Sequence, residues 1–308
     1  MIILAHRFHE NDMARFEEIA PTFFGWEVLE NPQNYSLDDF QIIIANGGEY
    51  VDDKYYDLLP NLRVIFVSAV GYDALNLDMV RQKGIMLTNT PNINTDDVAD
   101  LAMGLLIAGE RNIGEADRLV RNNEWKRAEK LIPSFRLRGR KLGIYGMGAI
   151  GQAIAERALP FGLEISWHGP RPKPEIAFEY VPTLLELAQN CDILMVACAL
   201  NDETRYSVDK TILSALGKDG VIVNIARGAI IVEDDLVNAL RNRDILGGCL
   251  DVFDPEPTDG SKWANISNVV ITPHFSGKTR AARETALMIT FDNILRYLKG
   301  EELLHRII

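Results

Sequence analysis

The 308-residue chain has no lysine- or arginine-rich run, and its 32 basic residues against 44 acidic ones leave a formal net charge of −12. A surface of that sign repels phosphate backbones and anionic lipid, so neither nucleic acid nor a membrane is expected as a partner. Long hydrophobic runs are missing too. The opening MIILAHRFHE turns polar after a strand-length apolar run, too short for the apolar core of a signal peptide, and nothing later reaches the length of a spanning helix. A cytoplasmic location is the expectation. Cysteine is scarce: Cys191, Cys198 and Cys249 all lie in apolar runs without metal-ligand spacing, which reads as three small core residues and no metal site. No low-complexity segment or Ser/Gly linker interrupts the chain. What it does have is 47% hydrophobic content, ample for one large or two ordinary cores.

The most informative stretch runs from Lys141 to Gly162, KLGIYGMGAIGQAIAERALPFG. Leu142, Ile144 and Tyr145 predict a strand, and Ile150, Ala153, Ile154 and Ala158 a helix with one apolar face, ending before Pro160. Between them Gly146, Gly148 and Gly151 fall at Gly-x-Gly-x-x-Gly spacing. Gly146 permits a tight turn, Gly148 lets backbone approach a pyrophosphate, and Gly151 lets the helix pack on the strand, while the helix N-terminus offers unpaired N–H groups to the anion. Glycines at this spacing also occur as plain turn chemistry, but a strand before and a helix after are the context a dinucleotide site requires.

The remaining chain alternates β-like runs with helical patterns. In the first part the runs are IILA near the start, WEVL at 26, QIIIA at 41, RVIFVSA at 63 and IMLTNT at 85. This rhythm predicts a parallel sheet covered on both faces, with Asn46-Gly47-Gly48 and Val70-Gly71 at its C-terminal edge, where open α/β sheets bind ligands or simply turn. From Thr95 or Asp96, as N-cap, Val98, Leu101, Leu105 and Ile107 predict a long helix that crosses to a second domain. Residues 115–140 are charged and amphipathic, a solvated helix or an arm for another subunit. EISW at 164, DILMVAC at 192, VIVNIA at 221, GGCLDV at 247 and NVVITP at 268 then add to the strand at 142, giving six. They suit a dinucleotide-binding domain of strand order 3-2-1-4-5-6. The expected fold class is therefore α/β, with two doubly wound parallel-sheet domains of Rossmann or flavodoxin type and a cleft between them: residues 1–94 with 281–308 for substrate, and 95–280 for the dinucleotide.

In that order the last three strands are neighbours, and each is followed by one conspicuous polar residue: Arg227 in NIARG, Glu256 in DVFDPEP and His274 in TPHFSG. Arginine can hold a carboxylate in two parallel bonds, histidine can deliver a proton near neutral pH, and a carboxylate beside it orients the ring and favours its charged form. Singly, each has a structural alternative as an ion pair, a loop carboxylate or a turn residue. Three at successive strand ends point to the nicotinamide half of a cofactor site.

The sequence resembles the D-isomer-specific 2-hydroxyacid dehydrogenases along essentially its whole length, through GMGAIG at 146–151, NIARGAIIVEDDLVNAL at 224–240, GGCLDVFDPEP at 247–257 and TPHFSGKT at 272–279. The resemblance implies a substrate-binding Arg227, a proton donor and acceptor His274 with Glu256 as its partner, and substrate carboxylate contacts from the Val70-Gly71 backbone, with Gly48 close by. It also implies cofactor contacts at Gly146, Gly148, Ala149, Ile150 and Gly151, at Gly169, Arg171 and Lys173, and at Ala226, Asp251 and Gly277. A homodimer formed through the cofactor domain and the segment before the glycine unit is implied as well. TPNINTDDVADLAMGLLIAGERNI looks most like the hydroxypyruvate and glyoxylate reductases. Formate dehydrogenases share the HFSGxT pattern but carry glutamine where this chain has Glu256.

One departure from the family pattern bears on the cofactor. Where an NAD enzyme carries an acid for the ribose 2′-hydroxyl, Gly169 stands 18 residues after Gly151, followed by Pro170, Arg171, Pro172 and Lys173. No carboxylate guards the ribose, and Arg171 with Lys173 can pair a 2′-phosphate, unless the segment is merely a Pro-rich loop facing water. His168 reads as a strand-end residue near the adenosine. The resulting expectation is NADPH-dependent reduction of small 2-oxo acids such as hydroxypyruvate or glyoxylate to D-2-hydroxy acids, with NAD as the other possible cofactor. An NAD-dependent dehydrogenase of the hydroxyacid, phosphite or formate type, and a dehydrogenase-like corepressor that senses dinucleotide, are the alternatives.

Overall fold

Runs such as Ile42-Ile43-Ile44-Ala45 and Val64-Ile65-Phe66-Val67 are buried at every residue, the pattern of strands covered on both faces. The computed structural model describes residues 1–47, 50–131 and 135–308, and divides into two units, Met1–Asn94 with Thr279–Ile308 and Thr95–Lys278.

In the first unit β1 (Ile2–Leu4), β2 (Thr22–Phe24), β3 (Ile42–Ala45), β4 (Val64–Val67) and β5 (Met86–Thr88) form a parallel sheet of order β2-β1-β3-β4-β5. Alternation along each strand sends Ile2, Leu4, Ile42, Ile44, Val64 and Phe66 to one core, where Phe16 and Leu287, Phe291 and Ile294 of the helix Arg280–Lys299 cover them. Ile3, Ile43, Ile65 and Leu87 face the other core with Tyr55, Tyr56 and Val80. The C-terminal residues run antiparallel beside β5, Thr88 pairing with Arg306, and so cover that edge. One expectation fails here. The WEVL run is not a strand but part of the helix Gly25–Glu30; the strand is the preceding Thr22–Phe24. Gly25 and Val28, three apart, are the buried positions, which is helical spacing, and Trp26 stacks on Phe24 at 4.3 Å.

The second unit holds β6 (Lys141–Tyr145), β7 (Glu164–His168), β8 (Glu179–Tyr180), β9 (Ile193–Val196), β10 (Val221–Asn224), β11 (Gly247–Leu250) and β12 (Val269–Ile271), in the order β12-β11-β10-β9-β6-β7-β8. Seven strands replace the six expected. The two-residue β8 takes the outer place beside β7, so DILMVAC is not the third strand of a 3-2-1-4-5-6 order but lies directly between β6 and β10. The long helix begins at Thr95 and, with Ala149–Ala158, covers Leu142, Ile144, Ile193, Met195 and Val223 on one face of the sheet. Cys191 and Cys249 are buried and Cys198 is partly so, and burial pushes all three thiols up to about 12.

Residues 113–130 form the helix Ile113–Arg121 and a short 3-10 helix Trp125–Lys130, laced by Glu115–Arg118 and Asp117–Arg121 ion pairs. Among the described residues no helix is long and apolar enough to cross a membrane.

Candidate active site

The loops at the C-terminal ends of β6, β7 and β10 to β12 bring the expected residues of the second unit together in two groups. After β6, Gly146 has φ +105, and a Cβ there would lie 2.5 Å from the Cys198 backbone. A Cβ on Gly151 would lie 2.1 Å from the Gly146 carbonyl oxygen, so the helix Ala149–Ala158 sits against its own turn as only glycine allows. Gly148, the helix N-cap, has no side-chain cap, and a Cβ there would meet open space. The turn thus leaves a helix N-terminus, flanked by Ala149 and Ile150, open to an anion.

At the end of β7 the ring of His168 is held by Val181, with Nδ1 2.9 Å from its carbonyl oxygen, and the Gly169 carbonyl accepts from the Tyr180 hydroxyl at 3.1 Å. His168 is therefore a strand-end wall residue. Arg171 is exposed. Lys173 folds back onto the glycine turn, donating from Nζ to the Met147 carbonyl at 2.7 Å and keeping two further donors on the ammonium. Both cations thus stand where no carboxylate competes at position 169.

The second group follows β10, β11 and β12. Asn224, 1% exposed, accepts from the Ala226 N–H at 3.1 Å and donates to the Arg227 carbonyl at 2.9 Å, which fixes the backbone carrying the guanidinium. A Cβ on Gly228 would lie 1.9 Å from the Phe253 carbonyl carbon, so the Arg227 loop packs backbone to backbone on the Glu256 loop. Glu256 accepts through Oε1 from the Phe253 N–H at 2.9 Å, and through Oε2 it lies 2.6 Å from His274 Nδ1. Burial alone raises the Glu256 carboxyl. The His274 hydrogen bond, the Phe253 N–H and the charges of His274 and Arg227 outweigh it and hold the group below the usual carboxylate range. With the carboxylate ionised, Nδ1–H donates to it, and Nε2 is the ring atom left to give or take a proton.

His274 itself has φ +47, a left-handed backbone that costs energy outside glycine and persists only where its surroundings impose it. Asp251 does the imposing. It is 0% exposed, and its carboxylate accepts from Thr272 Oγ1 at 2.6 Å, Phe275 N–H at 3.1 Å and Ser276 N–H at 2.9 Å, gripping the His274 loop on both sides, just before Gly277. Asp254 is tied to the Tyr206 hydroxyl at 2.8 Å and, through its N–H, to Glu233 at 3.2 Å. Asn224, Tyr206 and Glu233 were not singled out from sequence; a buried asparagine closing an apolar strand is the one signal that marks any of them.

In the first unit Gly48 lies outside the described residues. Gly47 packs on the Val70-Gly71 turn: a Cβ there would lie 2.4 Å from the Gly71 carbonyl oxygen. Val70 and Gly71 are both half-buried at the end of β4.

A family model described as D-isomer specific 2-hydroxyacid dehydrogenase, NAD binding domain, matches residues 103–276. The chain is 38% identical to a glyoxylate/hydroxypyruvate reductase A of Arabidopsis thaliana, over 90% of this chain and 87% of that one. It is 37% identical to a 2-ketogluconate reductase of Gluconobacter oxydans, over 93% and 92%. Among solved structures, an NADPH-dependent glyoxylate/hydroxypyruvate reductase of Sinorhizobium meliloti, in complex with NADP and malonate, superposes with a TM-score of 0.90 at 31% identity, covering 99% of this chain and 96% of that one.

Proposed function

The chain belongs to the D-isomer specific 2-hydroxyacid dehydrogenase family, and from that membership we propose that it is an NADPH-dependent reductase of small 2-oxo acids, yielding D-2-hydroxy acids, with hydroxypyruvate and glyoxylate as leading substrates and NAD as the weaker cofactor. The observation that carries the reading is the 2.6 Å contact of His274 Nδ1 with an ionised Glu256, at a strand end next to that of Arg227. A dinucleotide is supported by the glycine turn, whose Gly151 packs too closely for any Cβ and whose Gly148 is open. Gly146, Gly148, Ala149, Ile150 and Gly151 would hold its pyrophosphate, Arg171 and Lys173 beside Gly169 its ribose phosphate, and Ala226 and Gly277 its nicotinamide half, where Asp251 secures the His274 loop. When bound, the reduced nicotinamide supplies hydride to the substrate C2.

The protein groups do the rest. Arg227 holds the substrate carboxylate in its planar fork and polarises the carbonyl. His274 gives the Nε2 proton to the carbonyl oxygen, and Glu256 stabilises the imidazolium before transfer. We assign 1–94 with 281–308 to substrate and 95–280 to the dinucleotide, and count Gly48 and the Val70 and Gly71 backbone among the substrate contacts. A cytoplasmic homodimer fits the three free thiols and the exposed Ile113, Val120 and Trp125 in the segment before the glycine unit.

Glu256→Gln tests the reading. Because the Glu256 carboxyl is held below the usual carboxylate range, its charge supports the imidazolium throughout the neutral range and is lost only as pH falls below that range. Glutamine keeps the shape without the charge. Reduction, which needs the charged ring, should therefore slow about tenfold in kcat/KM at neutral pH, while 2-hydroxy acid oxidation, which needs the neutral ring, should slow less. Unchanged rates in both directions would remove Glu256 from the proton-transfer site.

A further inference from the structure

The Val70-Gly71 turn is held from the neighbouring strand end by two bonds. The Thr90 N–H donates to the Ala69 carbonyl at 3.0 Å, and Asn89 Nδ2 donates to the Val70 carbonyl at 2.8 Å. Asn89 is itself 8% exposed, and its N–H reaches the His305 carbonyl at 3.4 Å, so the side chain that grips Val70 stands on backbone braced by the C-terminal residues. From the other side, Gly47 closes on the Gly71 carbonyl. Among the described residues neither the Val70 nor the Gly71 N–H has a hydrogen-bond acceptor.

The Val70 carbonyl and the Gly71 N–H belong to one planar trans peptide, in which they point opposite ways. Fixing the carbonyl therefore aims the N–H. Among the described residues nothing else in the turn does so, because the Thr90 bond acts one peptide earlier and the Gly47 contact one peptide later. With no donor on the Val70 carbonyl the peptide is free to flip, the change that separates type I from type II turns, and the N–H would leave its ligand.

We infer that Asn89 is a positioning residue for substrate: its amide holds the Val70 carbonyl and thereby aims the Gly71 N–H at the substrate carboxylate. The inference rests on reading Val70-Gly71 as the carboxylate-binding backbone of a 2-oxo acid reductase. Asn89 touches neither substrate nor cofactor in this account, and its effect is confined to the affinity for the oxo acid.

The test is steady-state kinetics of Asn89→Ala and Asn89→Asp on hydroxypyruvate with NADPH, alongside melting temperatures. Aspartate keeps the shape of asparagine, but its ionised form cannot donate to a carbonyl. In both variants KM for hydroxypyruvate should rise about tenfold, the scale of one hydrogen bond lost at a buried group, while kcat and the KM for NADPH stay within about twofold. Burial raises that carboxyl above the ordinary aspartate range, so the loss in Asn89→Asp is read at about pH 8, and lowering the pH returns a proton to the aspartate and with it a donor, so Asn89→Asp should regain affinity where Asn89→Ala should not. Should Asn89→Ala fail to fold, the aspartate variant and its pH rescue decide. A wild-type KM in the variants, or parallel losses toward NADPH and hydroxypyruvate, would overturn the inference while leaving the reductase reading intact. A wild-type protein that reduces no 2-oxo acid would overturn both.

Discussion

His274→Ala should reduce 2-oxo acids about 10² to 10⁴ times more slowly than the wild-type chain, with a comparable loss for oxidation of 2-hydroxy acids. The loss belongs in kcat, because Nε2 is the atom left to exchange a proton once Nδ1 is turned to Glu256 at 2.6 Å. NADPH should bind as before, since the glycine turn follows another strand. Alanine also has to adopt the φ of +47 that histidine holds here, so some loss of stability accompanies the change. His274→Asn separates the two effects. Asparagine tolerates the left-handed region but cannot serve as a proton donor near neutral pH, so it should retain more thermal stability and lose as much turnover. An asparagine variant with wild-type kcat would show that His274 shapes the loop and moves no proton.

Arg227→Lys should lower kcat/KM for 2-oxo acids about a hundredfold, the combined worth of a charged pair of hydrogen bonds and their alignment. Lysine preserves the charge that helps hold the Glu256 carboxyl low, so the pH profile should keep its shape. What lysine cannot reproduce is the planar fork. The backbone beneath is secured by Asn224, which bonds both Ala226 and Arg227, so the loop itself should stand. Cofactor affinity measured by titration should be unchanged. Uniform loss of cofactor binding with kcat retained would instead place Arg227 in the nucleotide site or in folding.

Much of the architecture was readable because parallel strands buried on both faces write themselves as unbroken apolar runs, as Ile42–Ala45 and Val221–Asn224 do. Where a strand is too short or too exposed to do so, the sequence is silent. Glu179–Tyr180 spans two residues, one of them exposed, and missing it misplaced the strand at 193 while leaving β10, β11 and β12 in their correct sequence of neighbours. WEVL has the composition of a strand, and only the burial of Gly25 and Val28 on one face marks it as helix. The residues around the candidate site follow the same division. Arg227, Glu256 and His274 stand out as polar groups after apolar strands. Their supports do not: Asp251 acts on backbone carried by the neighbouring loop after β12, and Lys173 finds the Met147 carbonyl 26 residues back along the chain. Contacts of that kind depend on how loops lie beside one another, which residue spacing does not encode.

The most direct test of the central claim is kcat/KM of the purified wild-type chain and of Arg171→Ala on hydroxypyruvate and glyoxylate, each with NADPH and with NADH. Gly169 offers no carboxylate to the ribose 2′-hydroxyl, while Arg171 is exposed beside it and Lys173 keeps donors free next to the glycine turn. One charge-assisted bond to a 2′-phosphate contributes about 1.5 to 3 kcal/mol, so the wild-type chain should favour NADPH by at least about tenfold, and Arg171→Ala should erode that ratio by lowering the NADPH value alone. Equal or better efficiency with NADH, or no turnover of either acid with either cofactor, would contradict the account.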